Sequence, residues 1–115
     1  MKDTHVTIVT TDILPGRRIS KYKGLVWASS ARSKNVLADM KAAFRLLGGG
    51  EIKAYTELAN EARLDVLKRL ADNAKKLGAN AIIGTRFGST QILPGTLDIF
   101  AYGTAVVAEK GKSRR

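Results

Sequence analysis

A chain of 115 residues, 44% of them hydrophobic, suits one compact domain spanning residues 1–115 with its own core and leaves no room for a second. It contains no cysteine and a single histidine, His5, which excludes disulfides, thiolate metal sites, a cysteine nucleophile and a multi-histidine site within one chain. Its formal charge of +10, from 20 Lys and Arg against 10 Asp and Glu, turns attention to anionic partners.

The N-terminal residues show none of the basic, apolar and small-residue regions of a secretion signal. The longest apolar runs, such as Ala79 to Gly84, are too short to span a bilayer, so a cytosolic protein without membrane contact is expected. Val6 to Thr11 is β-branched enough for a short strand. Ile13-Leu14-Pro15-Gly16 then breaks it, with Pro-Gly suited to the middle of a type II turn. From Arg18 to Ser29 apolar and polar residues roughly alternate before the apolar Leu25-Val26-Trp27-Ala28. The alternation predicts a strand that is half exposed early and more deeply buried late.

Ser33 or Asn35 can cap a helix reaching Leu47, with Val36, Leu37, Met40, Ala43, Phe44 and Leu47 at helical spacings. After Gly48-Gly49-Gly50, the span Tyr55 to Leu77 is the strongest helix in the chain. Leu58, Ala62, Val66, Leu70, Ala74 and Leu77 form its apolar stripe, widened by Ala59, Leu67 and Ala71. Asp65/Arg69 and Asp72/Lys76 are i,i+4 pairs, Lys75 and Lys76 complement the C-terminal dipole, and Gly78 suits the left-handed position that ends helices. Residues 80–87 and 96–108 read as strands of the sheet beneath that helix. The letters ILPG recur at 92–95, but the flanks differ from those of the first copy, so the two are independent turns.

Three patterns could carry chemistry. Glycines before a helix can cradle phosphate, yet this run lacks the GK[ST] of a phosphate loop and follows a helix, which makes it a joint between helices. Glu57, Glu61 and Asp65 form an acidic row able to ligate a hard cation, although Arg63, Lys68 and Arg69 beside it favour a solvated or intersubunit salt-bridge face. The basic excess is concentrated in segments 17–34 and 110–115. Arg17, Arg18, Lys21, Lys23, Lys110, Lys112, Arg114 and Arg115 are thus candidates for holding nucleic acid or another polyanion through counterion release. Aromatics make up only 6% of the chain, so stacking platforms for single strands are poorly supplied. The last residues, 110–115, are expected to form a basic, flexible tail. No nucleophile, base and orienting group can be assembled, so a non-enzymatic protein without cofactor is expected.

The run from Asn35 to Gly84 resembles the YbjQ-like family of small prokaryotic proteins of unassigned function, sometimes labelled heavy-metal-binding. The resemblance rests on Gly49-Gly50 shortly before Ala54-Tyr55, on Ala62-Arg63, and on Leu77-Gly78-Ala79-Asn80-Ala81-Ile82-Ile83-Gly84, with Gly103-Thr104-Ala105-Val106 matching the last strand. It implies an α+β fold: a two-layer α/β subunit with an antiparallel sheet covered by two helices, closing into a homo-oligomeric ring, a pentamer. Gly49, Gly50, Tyr55 and Arg63 then become candidates for a subunit contact or for a small ligand or partner held at subunit interfaces. The heavy-metal label finds no thiolate in this chain to support it, since soft metals select sulfur and imidazole donors.

Overall fold

The computed structural model describes residues 5–32, 51–91 and 97–111, with side chains along the helix from Thr56 onward and along the second strand up to Ala31. Four strands and one helix make up this part of an α+β fold: β1 (Thr7–Ile8), β2 (Arg17–Arg32), α1 (Glu51–Lys76), β3 (Ala81–Gln91) and β4 (Leu97–Lys110). The expected helix over 35–47, the joint at Gly49-Gly50 and the second ILPG turn lie outside the described residues.

The strands form one open sheet in the order β1-β3-β4-β2. Long antiparallel ladders join β2 to β4, from Arg17↔Lys110 to Arg32↔Leu97, and β3 to β4, from Ala81↔Val106 to Gln91↔Leu97. The sheet is not purely antiparallel as expected, because β1 runs parallel to β3. Parallel neighbours need a long crossover, and here β2 and α1 both intervene between the two strands. The pairing outlasts the short strand itself: Val9 N–H donates to Ile82 O at 2.9 Å, Thr85 N–H to Val9 O at 3.1 Å and Gly84 N–H to Thr11 O at 2.8 Å. The Pro-Gly turn forms as its letters require, with Arg17 N–H donating to Leu14 O at 2.9 Å and Gly16 at φ +80°.

The helix lies on one face of the sheet because its apolar positions recur every three or four residues. Ala62, Val66, Leu70 and Ala74 are buried against Val26, Ala28, Ile82, Ile99, Ala101 and Ala105, and Leu58 on the same stripe is buried as well. Each fully buried Leu or Val of this stripe contributes about 1.5–3 kcal/mol of transfer free energy. The stripe stops one step short of the expectation, since Leu77 is exposed beyond the end of the helix. That end is a Schellman motif: Gly78 N–H donates to Lys75 O at 2.9 Å and Ala79 N–H to Ala74 O at 3.0 Å, with Gly78 at φ +83°.

The other face of the sheet is covered over only half its length. Leu14, Ala81, Ile83, Val106 and Ala108 form a second core there, joined by Val9 and Ile19. Beyond it no described residue covers the face, and this corrects the reading of the late part of β2. Val26, Ala28 and Ser30 are buried under the helix, whereas Leu25 and Trp27, pointing the other way, are 68% and 64% exposed. Strand geometry separates neighbours onto opposite faces, so an apolar run is buried throughout only where both faces are covered.

Candidate functional site

The open half of the sheet gathers aromatic side chains from two strands. Trp27 faces Tyr102 across the β2–β4 ladder and Ser29 faces Phe100, while Leu25 lies one pleat away opposite Thr104. Leu25, Trp27, Phe100 and Tyr102 border a shallow hollow of about 470 Å³ with Asp98 at its margin. Tyr102 is itself 44% exposed. Phe100 also covers Gly88, its partner on β3, so closely that a Cβ there would stand 2.3 Å from the ring. Composition alone missed this surface, since aromatics scarce in number are concentrated on one face. The i,i+2 spacings of Leu25/Trp27 and Phe100/Tyr102 are the signal that could have found it.

The edge of β2 beside this face is partly closed. The carbonyls of Trp27 and Ser29 point away from β4, and the helix supplies their donors: Asn73 Nδ2 reaches Trp27 O at 2.9 Å and Arg69 Nη1 reaches Ser29 O at 3.0 Å. Arg69 also pairs with Asp65 at 3.0 Å, and Asp65 accepts a 2.8 Å hydrogen bond from the buried Ser30 hydroxyl. Asp65, the third member of the acidic row, therefore ties the helix to the strand, while Glu57 and Glu61 face solvent.

The basic candidates divide into engaged and free. Arg17 and Lys110 are cross-strand partners, and the Arg17 guanidinium donates to Thr7 Oγ1 at 3.1 Å and to Ala108 O at 3.2 Å. Arg18 forms an ion pair with Glu109, its neighbour across the ladder. The end of the Lys23 side chain lies beside Gly78 at the helix C-terminus, where a cation complements the dipole. Lys21 and Lys110 are exposed, with no ion pair among the described residues. Lys112, Arg114 and Arg115 lie outside the described residues, as do Gly49, Gly50 and the Tyr55 side chain.

Arg63 is placed differently. It stands on the first half of α1 at the rim of a hollow of about 270 Å³ between the helix and the ends of β3 and β4. Its Nη1 donates to Asn60 Oδ1 at 2.8 Å, one turn back along the helix. The structure thus brings Arg63 to a pocket and keeps it well apart in sequence and element from the basic residues of β2.

A family model named YbjQ and described as "Putative heavy-metal-binding" matches residues 6–109. The chain belongs to this YbjQ-like family. It is 50% identical over 103 residues to a UPF0145 protein of Fervidobacterium nodosum, covering 90% of this chain and 95% of that one. It is 48% identical to a UPF0145 protein of Thermotoga maritima, over 90% and 97% of the two chains. A third UPF0145 protein, from Saccharolobus solfataricus, is 46% identical over 95% and 96%. A crystal structure of a protein of unknown function from the DUF74 family of Pediococcus pentosaceus shares the fold, with a TM-score of 0.51 at 21% identity over 90% of this chain and 98% of that one.

The YbjQ-like description can be tested against the donors this member carries. Heavy metals favour thiolate and imidazole, and the chain has no cysteine and one histidine. Among the described residues no group of three or more His, Cys, Asp or Glu is placed to hold an ion. The donor set therefore does not fit a heavy metal held within one chain. Among the described residues, too, no helix is long and apolar enough to cross a membrane.

Proposed function

We propose that the protein is a non-catalytic subunit of a closed homo-oligomeric ring, the pentamer that the YbjQ-like resemblance implies, and that it holds a small ligand or partner. The open half of the sheet carries this reading. Leu25, Trp27, Phe100 and Tyr102 form a contiguous apolar surface from two adjacent strands, and such patches on soluble proteins mark interaction sites. Trp and Tyr anchors are the residues that dominate interface energetics. The guarded edge of β2 supports the same view, because capped carbonyls at Trp27 and Ser29 disfavour strand addition there and leave the face as the route of association. A patch that meets a different patch on its neighbour closes into a ring when the rotation allows, which distinguishes this arrangement from a two-fold dimer.

Native mass spectrometry of the intact chain, with light scattering at low micromolar concentration, tests the assembly. A single closed oligomer of five subunits is the expected result. A monomer at that concentration overturns the reading, and a two-fold dimer overturns the ring.

A further inference from the structure

Arg63 differs from the other helix arginine close to it. Arg69 has its charge met by Asp65 at 3.0 Å, whereas Arg63 is hydrogen-bonded to the neutral amide of Asn60 and has no carboxylate partner among the described residues. An amide acceptor holds a guanidinium in place without neutralising it. The remaining donors of Arg63 sit at the rim of a hollow whose strand side is apolar, formed by Phe87 of β3 and by Leu97 and Ile99 of β4. Ser89 adds a hydroxyl with no hydrogen-bond partner among the described residues. At about 270 Å³ the hollow falls just below the range of pockets that take drug-sized ligands.

We propose that this hollow binds a small organic anion, a carboxylate or phosphate ester with an apolar end. The charged group meets the Arg63 guanidinium, which offers a planar fork matched to either oxyanion. The apolar end rests on Phe87, Leu97 and Ile99, and the Ser89 hydroxyl donates to a second oxygen. An uncompensated cation beside apolar side chains selects for both properties together: charge alone gains nothing from the floor, and an apolar neutral molecule leaves the guanidinium unmet. This inference deepens the ligand half of the proposed function. It is independent of the assembly half, since every lining residue belongs to one chain.

The test uses the full-length protein and four probes: benzoate, phenyl phosphate, benzamide and inorganic phosphate, each titrated by calorimetry and by thermal shift. Benzoate, phenyl phosphate or both bind saturably with a Kd on the order of 1 mM and raise Tm by mass action; which of the two binds distinguishes a carboxylate from a phosphate ester. Benzamide and inorganic phosphate bind more weakly than the better charged aromatic probe. Arg63→Gln weakens that probe roughly ten- to a hundredfold, the range for a lost charge-assisted hydrogen bond, while Lys68→Gln, which removes an exposed charge of the same helix away from the hollow, leaves its affinity unchanged. The inference is overturned if neither charged aromatic probe binds, if inorganic phosphate binds as well as they do, or if binding survives Arg63→Gln. It is overturned equally if the wild-type oligomer ignores the probes and Arg63→Gln dissociates it, because Arg63 would then face a neighbouring subunit's carboxylate. A monomeric wild-type protein that binds the probes through Arg63 would sink the ring and leave this site standing.

Discussion

Gly103 illustrates how much one hydrogen atom can matter in this sheet. A Cβ at that position would stand 2.7 Å from Ile82 Cγ2, 2.9 Å from Ile83 O and 3.1 Å from Thr85 Oγ1. Two of those neighbours are fully buried and the third is backbone in a paired strand, so none can retreat. Gly103→Ala is expected to cost about 1–3 kcal/mol, the usual range for overpacking, read as a lower urea midpoint with unchanged m-value. Thr85, beside it, presents the opposite case. Its Oγ1 is buried and finds no hydrogen-bond partner among the described residues, and such an orphan costs roughly 1–3 kcal/mol of desolvation. Thr85→Val removes the orphan at nearly constant shape and is expected to raise the thermal midpoint. A lower midpoint would mean that the hydroxyl finds a partner in solution.

Among the elements, β2 has the most to defend, since it is a long edge strand whose ladder partner lies on one side only. Asn73 and Arg69 occupy its outward carbonyls at Trp27 and Ser29. Covering an edge is one of the ways natural sheets avoid pairing with other chains. The double variant Arg69→Ala, Asn73→Ala is expected to lose about 1–3 kcal/mol, two net hydrogen bonds' worth. It should also shift protein from the defined species to large aggregates in size-exclusion chromatography. An unchanged elution profile would show that the cap has no protective role. None of this was legible from residues 17–32 and 55–77 read separately. The helix itself was legible, because Leu58, Ala62, Val66, Leu70 and Ala74 are spaced by its own geometry. The parallel mate of β1 and the exposure of Trp27 were not, because alternation along a strand defines two faces without saying what lies against either.

At the scale of the whole molecule, the proposed ring requires Trp27 to be an anchor. Trp27→Ser removes the largest side chain of the open face, and loss of such an anchor weakens association by roughly thirtyfold or more. Dilution series followed by light scattering should therefore show smaller species at protein concentrations where the wild type stays assembled. Circular dichroism should stay unchanged, since the exposed side chain is not needed for the fold. The candidate site was partly legible from sequence at this scale: Arg63 stood out through family resemblance. Its pocket did not, because Phe87, Leu97 and Ile99 come from strands separated from the helix in sequence and meet it only through the β3–β4 ladder. The basic segments show the reverse, being prominent in sequence while Arg17 and Arg18 have hydrogen-bond or ion-pair partners within the fold.

The strand order β1-β3-β4-β2 also governs when this protein can fold. Thr7 waits for Ala81, and Arg17 for Lys110, before either finds its neighbour. On the ribosome the first strands emerge with nothing to pair against, and α1 is the first described element able to form from local contacts alone. Apart from the β3–β4 hairpin, the sheet is assembled from distant segments, and such topologies place folding toward the slow end, in the range of about milliseconds to seconds. Until the last strand is made, β2 lacks its ladder partner and its backbone groups along that side stay unpaired. For this chain, a delay in synthesis near residue 97 would prolong the interval in which a nascent copy is open to capture by another.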